Sequence, residues 1–82
     1  MSERAILKGR LAELTGRLAD DAIRAKSLCE RIGVCVNPLI QEDWAEMPVA
    51  EAAALMDDLI ILHGEMLATS TQLEAIKKEL YD

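Results

Sequence analysis

A chain of 82 residues has room for one domain at most, and a lone domain of this size buries only a small core. Hydrophobic residues make up 51% of the chain but aromatic residues only 2%, which excludes a typical β-sandwich or barrel and favours an all-α fold. The formal net charge of -6 opposes direct binding to the phosphates of nucleic acids, so we expect no direct nucleic-acid partner.

The chain carries no recognisable targeting or membrane-spanning segment. Charged residues such as Lys8 interrupt the N-terminal region, where a secretory signal needs a continuous apolar core. The apolar runs 52–56 and 59–62 are far shorter than the roughly 20 residues that a bilayer requires. Cys29 and Cys35 match neither a zinc motif nor a redox motif. We therefore expect no membrane partner and a cytoplasmic protein with free thiols.

The first long helix is predicted over about residues 2–32. Ser2 can cap it, and Gly33 follows where a left-handed residue commonly ends a helix. Its apolar residues recur at alternating spacings of three and four, which is the heptad pattern of a coiled coil. We label these ladder positions a and d; they are Leu7, Leu11, Leu14, Leu18, Ala25, Leu28 and Ile32.

The connection, about residues 33–47, is too long for a tight helical turn. Asn37 followed by Pro38 is typical of a helix start, so we predict a short helix over about 38–45. Neighbouring turns of that helix would carry large apolar side chains to cover the end of the structure. The residues predicted to form this end cover are Leu39, Ile40 and Trp44.

The second long helix is predicted over about residues 48–80, with Pro48 at a tolerated first-turn position. It continues the same heptad pattern through Ala52, Leu55, Leu59, Leu62, Met66, Leu73, Ile76 and Leu80. No repeat, low-complexity segment or linker divides the chain. The sequence thus predicts one domain over residues 1–82, an all-α helical hairpin of two antiparallel long helices with a short helix in the connection.

Charged residues beside the two ladders favour the antiparallel arrangement. One basic lane of the first helix and one acidic lane of the second fall at heptad position g, and antiparallel helices bring g against g. The lanes are Arg10, Arg17, Arg24 and Arg31, and Glu51, Asp58, Glu65 and Glu79. The predicted pairs, which orient the hairpin, are Arg31 with Glu51, Arg24 with Asp58, and Arg17 with Glu65. The same register places Glu3 beside Glu79, so we expect the open end to fray or to attract a positive charge.

The opposite side of the hairpin, formed by heptad positions e and b, has few charges, and we call it the dry flank. A two-helix hairpin buries one narrow stripe per helix, so a wider apolar sector favours packing against further helices. A second copy of the chain would supply them and form a four-helix bundle. The predicted interface residues are Ala12, Ala19, Met56, Ile60, His63 and Leu67. Gly9 and Gly16 extend the small residues of the first helix and favour close approach of a neighbouring backbone.

Two residues invite a chemical interpretation. Asp21 occupies a d position where leucine is typical, and a buried carboxylate can serve acid or base chemistry. The structural alternative, which we favour, is that Arg17 and Arg24 pair with it and that it fixes the register or the oligomeric state. His63 is the single histidine and has no second histidine at ligand spacing, so a metal site is not predicted. The sequence predicts no catalytic, cofactor-binding or metal-binding residues.

The leading functional hypothesis is a homodimeric, non-enzymatic bundle that acts through protein-protein contacts as an accessory or regulatory protein, of the kind found in bacteria and phages. One alternative is an acidic inhibitor that occupies the basic surface of a nucleic-acid-binding protein. The other is a small helical enzyme with a site between subunits, formed by Asp21, Arg24 and His63.

Overall fold

The computed structural model describes residues 2–81 as two long antiparallel helices. Helix α1 spans Glu3–Val36 and helix α2 spans Val49–Tyr81, with a 3-10 helix over Trp44–Glu46 between them; the described residues contain no strand. The predicted all-α helical hairpin is confirmed. The hairpin is a rod measuring 61 × 19 × 15 Å, with its connection at one end and the start of α1 and the end of α2 at the other.

Helix α1 begins as predicted but ends later. Ser2 Oγ accepts a hydrogen bond from the Ala5 N–H at 3.1 Å, which is the expected N-terminal cap. The prediction that Gly33 ends the helix is wrong, since α1 continues to Val36 and no described glycine has a positive φ. The helix ends where Asn37 precedes Pro38, because proline disfavours helical geometry in the residue before it.

The connection contains shorter turns than the predicted helix over 38–45. The Gln41 N–H donates to the Asn37 carbonyl at 2.8 Å and forms one isolated turn. The Asp43 carboxylate then accepts from the Ala45 N–H at 3.1 Å and starts the 3-10 helix. The predicted single helix is therefore wrong in its bounds, because Asn37 and Asp43 each hydrogen-bond locally and split the segment in two.

The prediction that the connection covers the end of the hairpin is also wrong. Leu39 is 87% exposed, Ile40 54% and Trp44 83%. Because α1 runs one turn further than predicted, Cys35 reaches a d position and packs with Ala52 and Leu55 at this end of the helices. The apolar residues of the connection consequently stay on the surface.

The heptad ladder describes the buried seam completely. From Leu7 to Leu80, every helical residue at position a or d is buried or half-buried, and every other residue of the two helices is exposed. Leu14 is 0% exposed and anchors a cluster at the open end with Leu73, Ile76 and Leu80. The second cluster lies at the connection end, around Cys35, Ala52 and Leu55. Two polar residues, Asp21 and Thr69, occupy d positions between the clusters.

The open end is held by a hydrogen bond that the sequence did not indicate. Glu3 and Glu79 line the same small groove there, as the predicted register requires. Arg4 lines the same groove, and its Nη1 donates to the Leu80 carbonyl at 3.0 Å. Arg4 thus brings one positive charge into the groove and satisfies a carbonyl at the end of α2.

Candidate functional surfaces

The charged residues predicted to orient the hairpin lie in shared grooves but do not bond to each other. Each predicted pair lines a common groove, which agrees with the predicted antiparallel register. Within residues 2–81, however, every ion pair shorter than 4.0 Å joins two residues of the same helix. The prediction that these residues form direct ion pairs is therefore wrong. The pairs concerned are Arg31 with Glu51, Arg24 with Asp58, and Arg17 with Glu65. All six residues are exposed to water, where an ion pair gains little.

The largest groove runs along this charged side and has a volume of about 500 Å³. Arg24 and Arg31 line it from α1, and Asp58 and Glu65 line it from α2. Guanidinium and carboxylate groups in equal number largely neutralise each other's field. The groove therefore offers neither an anion nor a cation a net electrostatic attraction.

Asp21 is held in the seam by a single weak partner. It is 8% exposed, and its Oδ1 accepts from Arg24 Nη1 at 3.5 Å. Arg17 lines the same groove of about 230 Å³ but forms no ion pair with Asp21, so only half of the predicted arginine pairing is present. Thr69, another polar d residue, donates its Oγ1 to the Glu65 carbonyl at 3.0 Å within α2. His63 does not line the groove beside Asp21, so the hairpin alone does not assemble the residues of the hypothetical enzyme site.

The dry flank is open to solvent in the hairpin. Met56 is 43% exposed, Ile60 62% and Leu67 57%, while Ala12 and Ala19 on α1 are also exposed, as is His63. The e and b positions carry no Asp, Glu, Lys or Arg between Ala12 and Ala22 on α1, or between Ala53 and Ser70 on α2. A Cβ added at Gly9 or Gly16 would meet nothing within 4 Å, so no part of the described chain approaches these glycines.

A second exposed apolar surface lies at the connection end and was not predicted. We call it the tip; it consists of Val34, Val36, Leu39, Ile40, Trp44 and Val49, all at least 43% exposed. Sequence reasoning missed it because large apolar side chains are usually buried, and Leu39, Ile40 and Trp44 were predicted to cover the end of the hairpin. The signal that identifies it is the interleaving of Glu42, Asp43 and Glu46, whose charges keep this segment in water.

The described residues hold no group of three or more His, Cys, Asp or Glu side chains that is placed to bind a metal ion. Both cysteines are free, with Cys29 exposed and Cys35 buried. Neither of the two long helices contains a stretch apolar enough to cross a membrane.

No protein-family model matches the sequence, and curated proteins and solved structures show no significant similarity to it. The two exposed apolar surfaces are therefore the candidate functional features of the described residues.

Proposed function

We propose that the protein is a non-enzymatic homodimer that packs through the dry flank into a four-helix bundle and acts by protein-protein contact. The observation that supports this most strongly is the exposed area. The hairpin exposes 6088 Å², whereas a compact folded monomer of this mass exposes about 4,850 Å². The excess of roughly 1,200 Å² exceeds the ~800 Å² that each partner buries in a standard interface.

The shape of the hairpin supports the same conclusion. Its radius of gyration is 18.4 Å, while a compact domain of 82 residues has one of about 12 Å. A single rod that is two helices thick leaves most of the surface of each helix in water. Packing two such rods side by side covers one face of each rod and gives a four-helix bundle. Dimerisation also compensates for the small core of so short a chain.

The dry flank suits a second copy because small and large residues are divided between its two helices. In a two-fold symmetric dimer both partners use the same patch. Helix α1 of each copy then packs against α2 of the other copy, which gives two equivalent contacts. Ala12 and Ala19 would then receive Ile60 and Leu67 of the partner copy in both directions. The lack of charge on this flank matters as well, because two chains of net charge -6 repel each other elsewhere.

The two alternative functions have weaker support. An acidic inhibitor would present Glu13, Asp20, Asp57 and Glu74 to a basic surface. Glu13 lies 3.8 Å from Arg10 and Glu74 3.9 Å from Lys77, so neighbouring cations partly neutralise two of these four acids. An inter-subunit enzyme would require a partner to bring a second polar cluster to Asp21, and the groove beside Asp21 lies along the charged side of the hairpin, away from the dry flank.

Two adjacent isoleucines of α2 provide a matched test of the interface. Ile60 is 62% exposed on the dry flank, and Ile61 is 63% exposed beside the charged groove. Ile60→Glu should convert the dimer to a monomer by burying a charge, whereas Ile61→Glu should leave it intact. Size-exclusion chromatography with light scattering measures the molar mass of both variants, and circular dichroism checks that both stay helical. A wild-type monomer, or equal behaviour of the two variants, would contradict the proposed interface.

A further inference from the structure

The tip presents apolar side chains on a backbone that is fixed by local hydrogen bonds. Asn37 Oδ1 accepts from the Leu39 N–H at 2.9 Å, and Gln41 Nε2 donates to the Val34 carbonyl at 3.0 Å. The Met47 N–H donates to the Trp44 carbonyl and closes the 3-10 turn. These bonds order the backbone at Leu39 and Trp44, so little backbone freedom remains to be lost when the two side chains bind.

The charge around the tip is of one sign. The sequence contains no Lys or Arg between Arg31 and Lys77, and the connection places Glu42, Asp43 and Glu46 around Trp44. None of these three acids takes part in an ion pair among the described residues. The carboxylates therefore repel acidic partners and anionic lipid surfaces, and they attract a surface that carries Lys or Arg.

We propose that the tip docks into another protein, through an apolar pocket that receives Trp44 and is bordered by lysine or arginine side chains. Tryptophan is enriched among the few residues that dominate binding energy, and a charged rim steers and orients the encounter. This surface lies at the end of the rod, apart from the dry flank, so a dimer would present two tips. The proposal does not require dimerisation, because the tip is complete in one chain.

Photocross-linking with the full chain identifies the occupant. Ile40 at the tip is 54% exposed, and Ile6 near the open end is 56% exposed, so they provide a matched pair of positions. Each is replaced in turn by p-benzoylphenylalanine, and the protein is irradiated in an extract of the source organism. A protein that cross-links from position 40 and not from position 6 is then identified by mass spectrometry and purified for binding measurements.

The purified partner distinguishes docking from incidental proximity. Trp44→Ala should weaken binding by about 30-fold or more, as expected when a binding hot spot is lost, and should leave the molar mass of the free protein unchanged. Glu42→Gln combined with Glu46→Gln should weaken it by about 3- to 10-fold, with a smaller effect at high salt. Asp43 is left unchanged because its side chain starts the 3-10 helix.

Several results would overturn the proposal. The first is that positions 6 and 40 cross-link to the same proteins. The second is that position 40 cross-links only to a second copy of this chain or to a lipid, and the third is that it gives no cross-linked product. A purified partner whose affinity changes less than threefold on Trp44→Ala, or does not depend on salt, would equally refute a tryptophan pocket with a basic rim. A change in the molar mass of Trp44→Ala would instead assign the tip to self-association.

Discussion

Replacing Asp21 with leucine should make the protein more stable, although it removes the ion pair of a buried residue. Asp21 is 8% exposed at a d position of the seam, so a leucine there buries nearly its whole side chain and contributes about 1.5–3 kcal/mol. The change removes the 3.5 Å contact with Arg24, whose side chain is 69% exposed, and an exposed pair of this kind contributes at most about 1 kcal/mol.

With the full cost of the ion pair subtracted, the net stabilisation expected for Asp21→Leu is about 0.5–2 kcal/mol, which corresponds to a rise in Tm of about 2–16 °C for a domain of this size. Urea denaturation followed by circular dichroism measures it, with all variants at one protein concentration because dimerisation would couple stability to concentration. Asp20→Leu is the matched control: it makes the same chemical change on the neighbouring exposed residue and should alter stability by less than about 0.5 kcal/mol.

Loss of stability in Asp21→Leu, with Asp20→Leu unchanged, would refute this reasoning. It would show that the Asp21 carboxylate makes a strong interaction that the isolated hairpin lacks, for example with a second chain. Asp21→Asn then separates charge from shape, because an amide keeps the size of the side chain and removes its charge. A variant that is more stable but changes its molar mass would instead assign Asp21 to the control of oligomeric state.

Three further changes test other parts of the fold. Gly33→Ala should stabilise the protein by about 0.5–1 kcal/mol in thermal denaturation, because Gly33 is helical and an added Cβ meets nothing within 4 Å; a loss would indicate a left-handed C-terminal cap after all. Leu14→Ala should cost about 3–5 kcal/mol in urea denaturation, since Leu14 is 0% exposed, and a cost below 1 kcal/mol would contradict the seam. Arg17→Glu with Glu65→Arg should show a coupling energy below about 1 kcal/mol in a double-mutant cycle, because the side chains share a groove without an ion pair; strong coupling would show that they bond.

The sequence predicted the long helices and their register because both depend on repeated patterns. The a and d ladder specifies which stripe of each helix is buried. The charges at g agree with the antiparallel direction, because the predicted partners line common grooves, although they form no ion pair between the described helices. Each pattern consists of many residues, so it remains recognisable despite single exceptions such as Asp21 and Thr69. The groove that Arg24 and Asp58 both line follows from the same register.

Features that depend on a few residues were predicted less well. Gly33 was expected to end α1, but Cys35 at the next d position extends the apolar seam, and this tertiary packing outweighs the low helix propensity of glycine. In the connection, Asn37 and Asp43 each form local hydrogen bonds, and their competition with a continuous helix is hard to judge from sequence. The exposure of Trp44 follows from that local geometry, and the acids interleaved around it, Glu42, Asp43 and Glu46, are the sequence signal that accompanies it.

The molar mass of the wild-type protein tests the central claim most directly. Sedimentation equilibrium at micromolar concentration and moderate salt should give about twice the 9.0 kDa of a single chain, and the dimer fraction should grow as salt screens the repulsion between two chains of net charge -6. A single species of 9.0 kDa over the whole concentration range would contradict the proposal that the dry flank joins two copies.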